Sequence, residues 1–204
     1  MGRREENKSD KRRRLAEAGR DAFLAEGWSA ASIERIATEA GVARGTFYLY
    51  FADKDALFEA VVAPLFDGLE AAIGEARAAL AAVADVEGAH ATYVALGLRL
   101  GAALLDARDL VRIYFAEARA PGAGGAYVRR RMTTIEGQVD ELLREAIARG
   151  LLRPHDTRTV TLVLIGGVER LTWAWLEGDE TLDATALPET ITRVFREGIG
   201  LTPG

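Results

Sequence analysis

The chain has 204 residues, of which 49% are hydrophobic, and its formal net charge at neutral pH is −5. It contains no cysteine, which excludes disulfides, a thiol nucleophile and zinc sites built on thiolates. No apolar run approaches the roughly 20 residues of a membrane span, and the N-terminus lacks the apolar stretch of a signal peptide. We therefore expect a cytoplasmic protein that does not associate with membranes.

The charge is distributed unevenly along the chain. Residues 1–54 hold 11 Lys and Arg against 9 Asp and Glu, a net charge of +2. Residues 55–204 hold 15 against 22, a net charge of −7. Cations gathered in the first quarter, including a basic run between Lys8 and Arg14, indicate that this part contacts a polyanion.

Two short amphipathic helices are predicted after a longer first helix. The buried stripe of the first helix is formed by Leu15, Ala18, Ala22 and Phe23. Ser32 is the expected cap of the second helix, whose apolar face repeats at helical spacing: Ile33, Ile36, Ala37 and Ala40. Gly41 then suits a left-handed helix end, and Val42 supplies an apolar plug between two helices. This order predicts a helix-turn-helix.

The third helix is predicted to begin near Arg44. At about 100° of rotation per residue, Phe47 and Phe51 share one direction, which we expect to be the core face. The outward positions are then Gly45, Thr46 and Leu49, flanked by Tyr48 and Tyr50. A helix in the major groove needs small or polar groups toward the base edges and longer hydroxylated or cationic groups toward the phosphates. The pattern therefore predicts a DNA-reading helix.

Each outward residue has an expected role. Asp53 is the predicted cap of a fourth helix, and Lys54 stands in its first turn, where free N–H groups and a cation favour a phosphate. We predict the following contacts: Thr46 with a base edge, Arg44 with a base or phosphate, Gly45 with the duplex through close backbone approach, Leu49 with a thymine methyl, and Tyr48, Tyr50 and Lys54 with phosphates. For the two tyrosines, partial burial against the first helix is the alternative.

The stretch from Lys11 to Val62 resembles the N-terminal domain of the tetracycline-repressor (TetR) family of bacterial transcription regulators. The matching residues are Ala22-Phe23, Gly27-Trp28, Ile36-Ala37, Ala40-Gly41-Val42, Arg44-Gly45-Thr46-Phe47-Tyr48, Tyr50-Phe51, Lys54 and Leu57. Family members usually carry Ser or Thr where this chain has Ala31 and Ala43, so one cap is expected to be missing from the start of each helix. The resemblance implies dimerisation through the last two long helices. It also implies an effector that moves the fourth helix and lowers operator affinity.

The sequence beyond residue 54 predicts only helices, and the whole chain is expected to have about nine helices. Connections are predicted at 82–88, 106–109, 121–125, 150–155 and 178–187, and a kink at Pro64. The Gly-rich residues 122–125 lack the Lys-Ser/Thr of a phosphate loop and are interpreted as a flexible connection. The expected fold is all-α: a helix-turn-helix DNA-binding domain with a basic N-terminal arm, residues 1–54, and a helical effector-binding and dimerisation domain, residues 55–204.

A helix predicted over 157–176 is apolar around nearly its whole circumference, which indicates burial on all sides. We expect a partner subunit to cover one face, with Gly166-Gly167 allowing close approach. The last helix adds an apolar stripe: Ile191, Val194, Phe195 and Ile199. Together they predict an intersubunit four-helix bundle. A homodimer would read an inverted repeat; the alternative is that the helix forms the centre of a monomeric bundle.

The second domain also offers candidates for a ligand cavity. Its aromatic candidates are Phe66, Tyr93, Tyr114, Phe115, Tyr127 and Trp173, with Arg112, Glu117 and His90 as possible polar partners. This composition favours a hydrophobic or amphipathic small-molecule effector. For each of these residues, core packing or a place on a solvated helix face is the alternative.

The sequence gives no sign of an enzyme. His90 and His155 lack carboxylates at metal-ligand spacing, no nucleophile elbow is present, and the acidic residues of 140–145 predict an exposed, salt-bridged face. We expect no catalytic residue, metal or cofactor. The prediction is a ligand-responsive transcriptional regulator, most simply a repressor, that binds palindromic double-stranded DNA. The alternatives are an activator, an effector-independent regulator of the same fold, or a protein-interaction module.

Overall fold

The computed structural model describes residues 3–183 and 186–199, with side chains placed within 7–183, 186–187 and 189–194. Every regular element in these ranges is an α-helix. In chain order the helices are α1 (Arg3–Ala30), α2 (Ile33–Glu39), α3 (Arg44–Phe47), α4 (Lys54–Ala82), α5 (Val86–Asp106), α6 (Arg108–Glu117), α7 (Ala123–Ala148), α8 (Thr157–Leu176) and α9 (Leu187–Ile199). The prediction of an all-α chain with about nine helices is confirmed for the described residues.

The helix ends match the predicted connections with one exception. The helix predicted over 157–176 is α8, with the same bounds. Pro64 lies within α4, and a kink at this residue stays a prediction. The exception is the glycine-rich stretch, because α7 begins at Ala123 and its first turn already includes Gly124 and Gly125.

These glycines allow close packing and do not form a flexible connection. A Cβ atom on Gly122 would lie 3.1 Å from the indole of Trp28, and one on Gly124 would lie 3.0 Å from it. A Cβ atom on Gly125 would clash with the carbonyl oxygen of Ala120. The interpretation of this stretch as flexible was therefore wrong, because the glycines are needed for contact with a side chain far away in sequence.

Polar side chains cap the helices that carry the candidate site. Ser32 accepts a backbone N–H of α2 at 3.3 Å, and Asp53 accepts one at the start of α4 at 2.7 Å, as predicted. Ala43 provides no side-chain hydrogen bond at the start of α3, which confirms one missing cap. The second expected loss was wrong, because Ser32 serves α2 while Ala31 is buried.

The described helices pack into two compact units. The first comprises Met1–Phe66 and Arg108–Arg130, and the second comprises Asp67–Ala107 and Arg131–Gly204. By these bounds α4 and α7 begin in the first unit and end in the second, whereas α6 belongs to the first alone. Packing units need not coincide with sequential domains, and the domain boundary after residue 54 stays a prediction.

An aromatic chain of contacts forms the core of the first unit. The rings of Phe23 and Phe58 meet edge to face with centroids 5.3 Å apart. Phe58 contacts Tyr127 at 6.4 Å, which contacts Phe66 at 6.1 Å, and Phe66 contacts Tyr114 at 6.3 Å. Such edge-on contacts add to the free energy of burial. They hold α1, α4, α6 and α7 together within this unit.

The second unit has an aliphatic core and ion pairs at its surface. Its buried cluster consists of Leu80, Ala89, Leu142, Leu143, Ala146, Leu151 and Leu152. Arg77 of α4 pairs with Glu141 and Glu145 of α7. Asp140, which the sequence placed on an exposed face, is buried and pairs with Arg144. The expected exposed face is therefore correct for Glu141 but wrong for Asp140.

One face of α8 is open within a single chain. Thr161 and Leu176 are buried, whereas the opposite face is exposed and consists of Leu162, Val163, Gly166, Gly167 and Trp173. The described residues of one copy therefore do not bury α8 on all sides. On α9, Val194 is exposed, and the side chains of Phe195 and Ile199 lie outside the described residues. Among the described helices, none combines the length and apolar character needed to cross a membrane.

Candidate nucleic-acid interface

α2 and the turn after it fix where α3 begins. Ile36 and Ala37 point into the core, with at most 1% of their surface exposed. Gly41 adopts a φ of 67°, a conformation that glycine reaches without the penalty of a side chain. The N–H of Val42 then bonds to the carbonyl of Ala37 at 2.9 Å. The chain therefore leaves α2 at a defined angle.

α3 is anchored by two phenylalanines. Phe47 is fully buried and Phe51 is 3% exposed, with their ring centroids 5.8 Å apart. The α-helix ends at Phe47, and a tighter turn follows, in which Leu49 and Tyr50 bond three residues back to Thr46 and Phe47. The shared inward direction predicted for the two phenylalanines is confirmed, although the helix itself is shorter than expected.

The opposite side of this segment is open to solvent. Leu49 is 75% exposed and Tyr48 is 46% exposed. A Cβ atom on the exposed Gly45 would meet no atom within 4 Å. Thr46 and Tyr50 are half-buried. The structure therefore brings all five residues to one continuous segment, with Leu49 as the most prominent.

Arg44 lies at the first position of α3 and is exposed. Its guanidinium pairs with Glu34 of α2 at 2.8 Å. Interaction with the Tyr48 hydroxyl, and then the charge of Glu34, raises the pKa of Arg44 above its usual range. The charge is held close to Tyr48, but an exposed pair of this kind contributes little free energy. Arg44 therefore remains available to exchange its carboxylate for a phosphate.

Lys54 is the first residue of α4, as the sequence predicts, and its side chain bonds within the protein. Its ammonium donates to the carbonyls of Trp28 at 2.7 Å, Ser29 at 3.2 Å and Ala31 at 2.9 Å. It also lies 4.5 Å from the centre of the Trp28 ring. An ammonium has three N–H donors, and in this structure they are directed to the three carbonyls, because the end of α1 leaves carbonyls that need donors. The phosphate contact of Lys54 stays a prediction.

The basic run before Leu15 is the beginning of α1 and not a separate arm. Arg13 pairs with Asp10 at 2.6 Å and with Glu17 at 2.8 Å. The guanidinium of Arg12 lies 5.1 Å from the centre of the Phe51 ring. This contact places a cation beside the segment that follows α3. No periodicity within either helix indicates it.

The predicted ligand-binding aromatics do not form one set. Phe66, Tyr114, Phe115 and Tyr127 are in the first unit, whereas Tyr93 and Trp173 are in the second. The polar candidates are divided as well, since Arg112 and Glu117 are in the first unit and His90 is in the second. Burial raises the pKa of the Tyr93 hydroxyl. Within the first unit four of the aromatic rings pack against one another, and a ligand pocket lined by these candidates stays a prediction.

The described residues also form a groove between α4 and α5 of the second unit. Its volume is about 310 Å³, and its lining is Ala72, Glu75, Ala76, Ala79, Ala91, Thr92, Ala95, Leu96 and Arg99. Small apolar side chains dominate, and Glu75 pairs with Arg99 at the surface. No sequence pattern indicates this groove, because short alanine side chains are also ordinary helix formers.

Comparison with known proteins agrees with this geometry. The family of bacterial regulatory proteins called tetR matches residues 15–61, and a tetracyclin repressor-like C-terminal domain matches residues 94–199. The fatty acid metabolism regulator protein of Bacillus subtilis is 24% identical over 201 residues, which cover 94% of this chain and 97% of that protein.

Two solved structures have the same fold. The fatty acid degradation regulator FadR of Bacillus halodurans is 21% identical with a TM-score of 0.71, covering 91% of this chain and 97% of that one. The transcriptional regulator FadR of Bacillus subtilis, solved in complex with stearoyl-CoA, is 18% identical with a TM-score of 0.71, covering 93% and 98%. One family match lies in the N-terminal part of the chain and the other in the C-terminal part, and the second alone covers half of the chain. The chain therefore belongs to the TetR family of DNA-binding transcriptional regulators, which are not enzymes.

Proposed function

We propose that this protein is a homodimeric repressor that binds inverted-repeat operator DNA and leaves it when a fatty acyl-CoA binds. The observation that carries the proposal is the opposite exposure of neighbouring residues at α3. Phe47 and Phe51 anchor the segment in the core, while Gly45 and Leu49 face solvent. A short segment with small and apolar groups outward suits the base edges of the major groove.

The proposed DNA contacts follow from exposure and chemistry. Gly45 has no neighbour within 4 Å of a Cβ position, so the backbone approaches the duplex closely there. Leu49 supplies an apolar surface for a thymine methyl, and the hydroxyls at its flanks reach phosphates. The full set is Arg44 on a base or phosphate, Gly45 at the groove floor, Thr46 on a base edge, Leu49 on a methyl, and Tyr48 and Tyr50 on phosphates. Lys54 acts in this scheme by holding the end of α1.

The exposed stripe of α8 supports a homodimer. Leu162 and Val163 are 46% and 58% exposed, and Trp173 is 44% exposed. Gly166 and Gly167 lie between them on the same face, with open space around their Cβ positions. A continuous apolar face with small residues at its centre suits close packing against the same face of a second copy. Two copies related by a twofold axis then read the two halves of an inverted repeat.

Fatty acyl-CoA is the proposed effector. Several relatives that match more than nine-tenths of this chain are named as fatty acid regulators, and one of them was solved with stearoyl-CoA. The groove between α4 and α5 has the apolar lining that an acyl chain needs and lies at the small end of ligand-pocket volumes, about 300–1,000 Å³. Arg99 supplies the cation for the phosphate-bearing end. We place the ligand there because the aromatic candidates of the first unit pack against one another.

The proposed switch runs through α4. Its residues after Phe66 line the groove, and its first turn carries Lys54. An acyl chain that separates α4 from α5 therefore displaces the helix that holds the end of α1. The effector must prefer the conformation that does not bind DNA by a few kcal/mol, because equal affinity for both conformations shifts neither population.

Selection from a random duplex pool tests the DNA proposal. We expect the recovered sequences to share an inverted repeat whose half-sites are about one helical turn apart, or a multiple of it. Recovery of sequences without twofold symmetry contradicts the homodimer, and failure to enrich any sequence contradicts the DNA proposal itself. A reporter placed behind the recovered site distinguishes repression from activation.

Filling the groove tests the effector proposal. Ala95→Phe places a ring in the groove, whereas Ala102→Phe places one on the exposed side of α5 outside the lining. We expect Ala95→Phe to abolish stearoyl-CoA binding and its effect on operator affinity, and Ala102→Phe to retain both. Equal stearoyl-CoA binding by the two variants would show that the ligand occupies another site.

A further inference from the structure

Glu117 is a buried carboxylate for which the proposed DNA contacts and groove give no role. It is the last residue of α6 and only 5% of its surface is exposed. Along α6 it follows the buried Val111 and Tyr114 at helical spacing, so a charged group stands where the pattern calls for an apolar one. Burying a carboxylate costs free energy unless it is hydrogen-bonded, so Glu117 needs a donor.

The partner is the backbone of the segment that joins α1 to α2. Gly27 interrupts the helical backbone of α1 with a φ of 77° and a ψ of 167°. The N–H of the next residue, Trp28, donates to Oε1 of Glu117 at 2.9 Å. Glu117 therefore satisfies a donor that the interruption at Gly27 takes out of the helix.

The same segment is also held from two other directions. Lys54 donates to three of its carbonyls, as described above. The indole of Trp28 lies against Gly122 and Gly124, which leave no room for a Cβ without displacement. The junction formed by residues 27–31 is thus fixed by α4, by the end of α6 and by the start of α7. Immediately after it, Ser32 caps the first helix of the DNA-reading pair.

We infer that Glu117 is a positioning residue through which α6 sets the orientation of α2 and α3 for operator binding. The inference rests on the proposed DNA-binding function and adds the residue through which that function is controlled. α6 and the junction both lie in the first unit. A displacement of the end of α6 is passed to the junction through the hydrogen bond that Trp28 donates to Glu117.

Three variants separate positioning from general stability. Glu117→Ala removes the acceptor, and Glu117→Gln retains a carbonyl oxygen for the Trp28 N–H. Ile113→Val removes a methyl from a fully buried residue of α6 that lies on the same helix but makes no bond to the junction. We expect all three proteins to fold, with lower melting temperatures for Glu117→Ala and Ile113→Val.

Operator affinity is the first measurement, made on the full-length protein with the selected duplex. We expect Glu117→Ala to bind about tenfold or more weakly, and Glu117→Gln to stay within about threefold of the parent chain, because only the first leaves a buried N–H without an acceptor. Ile113→Val should bind as the parent does. Affinities that fall in proportion to melting temperature across all three variants would show a merely structural role and overturn the inference.

A distance measurement provides a readout that does not depend on DNA. The chain has no cysteine, so Gly45→Cys introduces a single site for a spin label at an open position. In the dimer, Glu117→Ala should broaden the distance distribution between the two labels, while Glu117→Gln and Ile113→Val keep the parent distribution. An unchanged distribution in Glu117→Ala contradicts the inference. Failure of the parent chain to bind any duplex contradicts the proposed function instead, and the distances still decide the role of Glu117.

Discussion

Phe47 and Leu49 stand two residues apart at the end of α3, yet Phe47 is fully buried while Leu49 is 75% exposed. An exposed leucine contributes little to folding, so its apolar surface is available for a ligand. We expect Leu49→Ala to weaken operator binding, and by about 1–3 kcal/mol if it contacts one base pair specifically. Fluorescence anisotropy with the selected duplex measures the change.

Leu98 provides the matched control for Leu49. It lies on α5 and is 51% exposed, so Leu98→Ala removes the same atoms from a surface with no proposed DNA contact. We expect it to leave operator affinity unchanged. Equal losses from the two substitutions would mean that Leu49 is not at the interface.

Because Lys54 makes three hydrogen bonds within the protein, we expect its substitution to lower the stability of the fold and to leave the electrostatic part of DNA binding unchanged. Lys54→Met retains the apolar stem but leaves the carbonyls of Trp28 and Ala31 without their donor, at a cost of about 1–3 kcal/mol. We expect a lower midpoint in urea denaturation at fixed protein concentration. We also expect an unchanged dependence of operator affinity on salt, since a phosphate contact would reduce the slope by about one.

The sequence predicts which way the residues of the α3 segment point, but it does not predict the partners of Lys54. The orientation of Phe47 and Phe51 was predictable because residues four apart on a helix share a direction whatever lies around them. The partners of Lys54 are more than 20 residues away along the chain. They depend on where α1 ends relative to α4, and a repeat within one helix carries no information about that distance.

The same limit applies to the glycine-rich stretch and to Glu117. The local sequence predicts a flexible connection at Gly122 and Gly124, because no local pattern shows the indole of Trp28 packed against them. The bond between Trp28 and Glu117 joins residues 89 positions apart. In the sequence, Glu117 is a charged residue at an apolar position of α6. This indicates an unusual environment but does not identify Trp28 as the partner.

The open face of α8 predicts that a charge there prevents dimerisation. Val163→Glu places a carboxylate in the proposed interface, where burial without a partner costs several kcal/mol in each subunit. We expect a monomer by sedimentation and loss of cooperative binding to the two half-sites. Leu98→Glu, on the exposed part of α5, is the control and should stay dimeric. A dimeric Val163→Glu protein would place the interface elsewhere.

Acid should weaken the start of α8 through Asp156. This residue accepts hydrogen bonds from the Thr159 hydroxyl and from backbone N–H groups, which lower its pKa. A lowered pKa in the folded state adds stability above the unfolded value of about 3.9 and loses it as the pH falls further. Asp156→Asn should therefore reduce the acid dependence of the melting temperature below about pH 4. An identical acid dependence in both proteins would show that the cap is insignificant.

Two glycine substitutions should change stability in opposite directions. Gly27 has a φ of 77° and a ψ of 167°, a region that only glycine occupies readily, so Gly27→Ala should lower the free energy of unfolding by about 1–3 kcal/mol. Gly74 is inside α4 with no atom within 4 Å of a Cβ position. Gly74→Ala should raise the free energy of unfolding by about 0.5–1 kcal/mol, because alanine loses less backbone entropy in a helix. Urea titrations of both variants at one protein concentration provide the comparison. Because Gly27 precedes the N–H that Glu117 accepts, Gly27→Ala should also reduce operator affinity, whereas Gly74→Ala should not.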